Sequence, residues 1–211
     1  MTTRLFLLRH GETEANIDQI YQGQGDSPLS ELGRQEASEL ARALKSENFS
    51  AVYSSDLLRS HETASYVAEP HNIAAIKLEG IKERHYGIWE GLNFEEIKKK
   101  HSKIYRGWLE DPARTTIPEA ETLEALQQRG VNTIEEIINK HQGQTVCVVG
   151  HGGINRVILF HYMNLDLNNF WRIKQDNCCI NIIEFNKIPI VLLLNSTWFL
   201  GEKRMRGSGY Y

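Results

Sequence analysis

Short apolar runs recur along the chain, and several stop abruptly at polar clusters. The runs, mostly apolar, are Leu5–Leu8, Ala51–Tyr53, Ala74–Leu78, Thr145–Val149, Cys178–Phe185 and Ile190–Leu194. Runs this short, bounded by turn residues, read as strands. Between them lie stretches with helical spacing. After Ser30, a plausible N-cap, Ala37, Leu40, Ala41 and Leu44 fall at i, i+3, i+4 and i+7, giving one apolar stripe. From about Thr122 to His141 the period returns in Leu123, Leu126, Ile134, Ile137 and Ile138. A third helix opens after Gly152-Gly153 with INRVILFHYM. Strand–helix alternation predicts βαβ units and an α/β fold, with a largely parallel sheet covered on both faces. The last two strands are expected to meet across a hairpin-like turn at Asn186-Lys187, on the sheet edge.

The stretch from about Gly107 to Ala120 contains prolines and lacks a period, so it reads as an insertion loop. No repeat or low-complexity block stands out. One domain over residues 1–202 is expected, with an insertion or cap at about 84–125 and a disordered tail over 203–211. With 41% hydrophobic residues among 211, the chain has ample material for a core. Its formal net charge of -3 supplies no broad basic field for nucleic acid or an anionic membrane. An anionic ligand therefore has to find its positive charge locally.

Other motifs narrow the field. Cys147, Cys178 and Cys179 make an odd count without C-x-x-C spacing, which suits small buried hydrophobes. No apolar signal region opens the chain, and its longest apolar stretch, Ile188–Leu194, is too short to span a bilayer. A reducing cytoplasm is the expected compartment. The nucleotide-binding glycine motifs and the H-E-x-x-H zinc motif are missing.

The chemistry gathers where strands end. In parallel sheets, ligands bind outside the carboxyl ends of the strands. The first strand ends in Arg9-His10-Gly11-Glu12, the second in Ser54-Ser55-Asp56 leading to Leu58-Arg59, and the fourth in Gly150-His151-Gly152-Gly153. If those strands are neighbours, Arg9, His10, Arg59 and His151 converge. Two arginines can clamp a phosphate through charge-assisted hydrogen bonds. Glycines such as Gly11 let backbone N–H groups come close to an anion, aided by a helix N-terminus. A neutral imidazole can attack phosphorus, while a second imidazole stabilises the transferring group. Cationic side chains make a metal unnecessary in such a design. Of the other histidines, His61, His71, His101, His141 and His161 read mostly as ordinary surface or core residues.

These blocks resemble the histidine phosphatase superfamily, also called the phosphoglycerate mutase-like family. The resemblance rests on LLRHGETEAN with YQG and DSPLSELGRQEA, on YSSDLLRSHETA, on ERHYGIWEGL and on VVGHGGINRVIL, in that order. It implies a three-layer α/β/α fold with a mostly parallel central sheet. It also implies that His10 becomes phosphohistidine, that Arg9 and Arg59 bind the phosphoryl group, and that His151 stabilises it. Asn16, Gln22 and Gly23 match the loop that completes the phosphate pocket, and Gly152 follows the second histidine. Glu83 matches the proton donor to the leaving oxygen. Glu12, its rival by proximity, is read as a loop-stabilising residue.

Signals for mutase and phosphatase are mixed. ERHYG resembles the mutase branch, in which Arg84 and Tyr86 would contact a phosphoglycerate carboxylate. IWEGL and the short Pro118–Leu123 segment resemble the phosphatase branch, although Glu119-Ala120 stands where that branch commonly has glycines. Trp89, Trp108 and Tyr105 are candidates for an apolar cap over the leaving group as well as for the core. The reading favoured is a metal-independent phosphomonoesterase of small phosphorylated metabolites, needing no cofactor and acting as a monomer or homodimer. Broad sugar or nucleoside phosphates stand first as substrates, then α-ribazole phosphate, then phosphoserine. Mutase activity and a non-catalytic phosphosite-binding module are the alternatives.

Overall fold

The computed structural model describes residues 1–201; the tail expected over 203–211 lies outside them. The elements follow in chain order as β1 (Thr3–Arg9), α1 (Glu14–Ile17), α2 (Glu31–Leu44), β2 (Phe49–Ser54), α3 (Leu58–Ala68), β3 (Ala75–Lys77), α4 (Phe94–Lys100) and α5 (Ser102–Glu110). Then come α6 (Leu123–Lys140), β4 (Thr145–Gly150), α7 (Gly152–Tyr162), β5 (Ile180–Phe185) and β6 (Ile190–Ser196). The six strands form one sheet in the order β3-β2-β4-β1-β5-β6. The first four run parallel, while β5 and β6 are antiparallel additions. This is the α/β architecture that the alternating pattern predicts.

Both faces of the sheet are covered, which is why the middles of its central strands, Leu5–Leu8 and Val146–Val149, are continuously apolar. Successive side chains of a strand point to opposite faces. Leu5 and Leu7 of β1 pack with Val146 and Val148 of β4 beneath α6 and α7, against Ile134, Ile154 and Ile158. Phe6 and Leu8, with Cys147 and Val149, face α2 and α3 through Leu40, Leu44, Ala64 and Val67. Each such buried aliphatic stabilises the fold by about 1.5–3 kcal/mol relative to exposure. Caps set the helix starts. Ser30 Oγ accepts from the Gly33 N–H, and Thr122 Oγ1 from the Ala125 N–H. No helix among the described residues is long and apolar enough to cross a membrane.

Two details depart from the pattern. Residues 107–110 belong to α5 rather than to a loop, because Ile104, Tyr105 and Trp108 form an inward stripe and Trp108 is fully buried. The irregular stretch begins only after Glu110. The fifth strand starts at Ile180 instead of Cys178, because Cys178 adopts a left-handed φ of 54° and donates its N–H to the His10 carbonyl. The last hairpin lies at the sheet edge, as the pattern predicts, with β6 outermost.

Candidate active site

The parallel register alone builds the centre of the site. Arg9 lies opposite Gly150 in the β1–β4 pairing, and Ser54 of β2 lies opposite Val149. One residue further on, His10, His151 and Ser55 leave neighbouring strands side by side. The rings of His10 and His151 sit 5.0 Å apart, tilted by 60°. Both are buried.

Each imidazole is held by a specific partner. His10 Nδ1 is 2.7 Å from the Gly11 carbonyl. A carbonyl only accepts, so Nδ1 carries the proton and Nε2 keeps its lone pair. Burial, then Arg59 and Arg9, lower the His10 pKa well below the usual imidazole value, although the Gly11 bond opposes them. The ring is therefore neutral near pH 7. His151 is lowered too, first by burial and then by Arg59 and His10. Its Nε2 lies 2.6 Å from Ser55 Oγ. With the hydroxyl donating there, Nδ1 is a free donor. Gly11 serves a different close approach from the one expected. A Cβ on it would lie 2.6 Å from the Gly33 carbonyl oxygen, so it seats the loop on the start of α2 rather than on a ligand.

The arginines are anchored by backbone carbonyls. Arg59 is 1% exposed and donates from Nη1 to Gly25 O and from Nη2 to Gly23 O, both at 2.8 Å. Burial draws its pKa down to about 10, so it remains a cation at neutral pH. Arg9 donates from Nη1 to Gln175 O. Arg9 Nε, Arg59 Nε and His151 Nδ1 are buried without a protein acceptor. A buried donor left unpaired costs about 1–3 kcal/mol. Arg9 and Arg59 line one cleft with His10, against which His151 packs, so these donors suit an anion with several acceptor oxygens.

Glu83 stands in this cleft, fixed at the start of α7. Its Oε2 accepts from the Gly153 N–H (2.8 Å), and its Oε1 from the Arg84 (2.8 Å) and Ile154 (3.1 Å) N–H groups. Oε2 keeps a second lone pair, so it can carry a proton without giving up its amide. A Cβ on Gly153 would lie 2.4 Å from Oε1, which reserves that position for glycine.

One cleft joins His10, the two arginines and Glu83. Of the residues named from sequence, Arg9, His10, Asn16, Gln22, Gly23, Arg59, Glu83, Tyr86 and Gly152 line it. His151 lies against His10 behind that lining. Arg84 does not join them. It is 1% exposed, its guanidinium lies 4.5 Å from the Trp108 ring, and its Nε donates to Glu121 O. Glu12 accepts from Ser30 Oγ and lies outside the lining. Trp89 and Trp108 are fully buried in the core, and Tyr105 packs against it.

Sequence reasoning missed Ser55 as the partner of His151. It also missed Ile20, Tyr21, Gly153, Arg156 and Trp171 in the lining. Arg156 follows Gly152 by four residues, hence one helical turn up the same face of α7. That spacing was available as a signal. Trp171 comes from the connection after α7 and has no local signal. Its ring lies 5.3 Å from the Arg156 guanidinium.

A sheet end with two apposed histidines, two buried arginines and a carboxyl held by helix amides defines a class of phosphoryl-handling enzyme. The chain belongs to the histidine phosphatase superfamily (branch 1), whose family model matches residues 5–196, and it is a phosphoric monoester hydrolase. It is similar to phosphoserine phosphatase 1 of Hydrogenobacter thermophilus, with 36% identity over 200 residues covering 94% of this chain and 95% of that one. It is 28% identical to the adenosylcobalamin/alpha-ribazole phosphatase of Escherichia coli over 194 residues, 92% of this chain and 96% of the other. Among solved structures, Bacillus stearothermophilus YhfR superposes with a TM-score of 0.90 at 29% identity, covering 94% of this chain and all of that one (100%).

Proposed function

We propose that the protein hydrolyses small phosphomonoesters without a metal, through a phosphohistidine on His10, with Glu83 as the proton donor. The observation that carries this reading is the neutral His10 ring, its Nδ1 locked on Gly11 O and its Nε2 left for attack beside the unpaired donors. A phosphate monoester dianion is held by Arg9 and Arg59, with His151 Nδ1–H and the amide end of α7 beside it. His10 Nε2 attacks phosphorus, and the phosphorus–oxygen bond to the leaving group breaks. The Glu83 carboxyl delivers its proton to that oxygen, and the alcohol departs. The carboxylate so formed takes a proton from water as the water oxygen attacks the phosphohistidine. His10 Nε2 leaves, inorganic phosphate is released, and Glu83 is protonated again.

The leaving-group side is lined by Ile20, Tyr21, Tyr86, Trp171 and Arg156. A compact leaving group that carries a carboxylate suits this mixture, so phosphoserine moves ahead of sugar and nucleoside phosphates. The similarity to phosphoserine phosphatase 1 supports the same order. α-Ribazole phosphate is the second reading, favoured by the aromatic rings that could stack on its base. A panel containing phosphoserine, α-ribazole phosphate, 3-phosphoglycerate and p-nitrophenyl phosphate, scored by kcat/KM in EDTA, tests the proposal. Expected are release of inorganic phosphate, its loss in His10→Ala, and the highest kcat/KM on phosphoserine among the metabolites. Activity abolished by EDTA, transfer of the phosphoryl group without release, or phosphopeptide binding without turnover would each count against it.

A further inference from the structure

Glu83 can protonate a leaving oxygen only if the segment that carries it is held still, and that segment, residues 80–85, has no regular secondary structure beyond one short turn. Its backbone carbonyls instead converge on one side chain of α6. Arg129 donates from Nη1 to Gly80 O (3.0 Å) and Lys82 O (2.7 Å), and from Nη2 to Glu83 O (2.9 Å). Its remaining fork, Nε and Nη2, is bidentate on Glu121, at 2.7 and 2.9 Å. All five guanidinium N–H groups are thereby used. Glu121 closes the bracket from the other side: its N–H donates to His85 O, and its carbonyl accepts from Arg84 Nε. The fit against α6 is close, since a Cβ on Gly80 would lie 2.0 Å from Thr133 Oγ1.

From this geometry we infer that the Arg129–Glu121 pair is the positioning device for the proton donor, coupling the register of Glu83 to helix α6. The inference rests on Glu83 being that donor. Arg129 lies behind the Glu83 backbone and outside the cleft lining, so it acts through Glu83 and not on substrate. Lysine cannot replace it. A single ammonium has three donors and no planar fork, so it cannot serve three carbonyls and a bidentate carboxylate together. A misplacement near 1 Å at a reacting group costs about 10²-fold in rate.

The test compares Arg129→Lys, Glu121→Gln and Glu83→Gln on phosphoserine and p-nitrophenyl phosphate. The readout is kcat/KM, which reports the steps up to departure of the leaving group. Nitrophenolate leaves without a proton, whereas the serine alkoxide needs one. Arg129→Lys should lower kcat/KM on phosphoserine by roughly 10- to 100-fold and on the nitrophenyl ester by less than about 3-fold, the pattern expected of Glu83→Gln. Glu121→Gln keeps the side-chain volume and should give the same pattern, more weakly. Equal losses on both substrates in Arg129→Lys and Glu121→Gln would reduce the pair to a structural brace and overturn the inference, as would no loss in either. If Glu83→Gln shows the dependence and the other two do not, only the positioning role fails. If Glu83→Gln lacks it as well, the proton-donor assignment fails first.

Discussion

Replacing Gly153 by alanine probes the acid without touching its carboxyl group. The new Cβ would stand 2.4 Å from Glu83 Oε1, 3.1 Å from Cδ and 3.3 Å from Oε2. Ordinary van der Waals contact begins near 3.4 Å, so the carboxyl must retreat by about 1 Å. The backbone need not follow, because the group it meets is the end of a flexible side chain. The retreat loosens the bonds from the Gly153 and Ile154 N–H groups, a cost of about 1–3 kcal/mol that the preference for alanine over glycine in a helix, about 1 kcal/mol, offsets in part. Activity should not hold. A shift of this size at a proton-transferring group costs about 10²-fold, or roughly 2.7 kcal/mol in the barrier. Steady-state kcat/KM on phosphoserine and on p-nitrophenyl phosphate, beside a thermal midpoint, separates the two effects. Gly153→Ala should show a modestly lowered midpoint, a loss near 10²-fold on phosphoserine and a small loss on the nitrophenyl ester. Full activity on phosphoserine would show that the carboxyl position set by α7 does not matter to the reaction.

Two further outcomes follow from the histidines. Ser55→Ala removes the partner 2.6 Å from His151 Nε2 inside a buried pair, which should cost about 1–3 kcal/mol in denaturant unfolding. It should also lower kcat/KM on p-nitrophenyl phosphate by about 10-fold, since Nδ1 is then no longer the obligatory site of the ring proton. Unchanged kinetics would remove Ser55 from the machinery. The pH behaviour has a definite sign. His10 and His151 are lowered in the fold, so between their folded values and about 6.5 the unfolded chain binds more protons. Their contribution to stability is complete above about pH 6.5 and is lost as pH falls through that window toward the folded values. Imidazole ¹⁵N spectra of the free protein should show both rings neutral through pH 6.5, with His10 protonated on Nδ1. Titration at or above 6.5 would contradict the burial argument.

The sequence was legible where its residues answer to one local demand. The middles of β1 and β4 are continuously apolar because both faces are covered, and the polar ends stand out against that background. This is why Arg9, His10 and His151 could be named before any contact was known. Arg59 followed from its place just past the end of the second strand, whereas Glu83 needed the resemblance, since nothing local distinguishes a glutamate in an irregular segment. Ser55, Trp171 and the Arg129–Glu121 clamp were hidden for another reason. Each acquires its meaning from a neighbour far away in the chain, as Ser55 does from His151, 96 positions on. Arg84 illustrates the converse. Its motif drew attention to it, yet packing on Trp108 takes it out of the cleft lining.

Everything proposed for the reaction passes through a covalent intermediate on one nitrogen. Rapid quenching of the enzyme with phosphoserine or p-nitrophenyl phosphate, followed by peptide mass mapping under alkaline conditions that preserve phosphohistidine, looks for it. One phosphoryl group per chain should appear on His10 within the first turnover and decay as inorganic phosphate is released, and His10→Ala should acquire none. Turnover by the unaltered protein with no phosphoryl group on His10 at any quench time, or with the label on another residue, would contradict the mechanism.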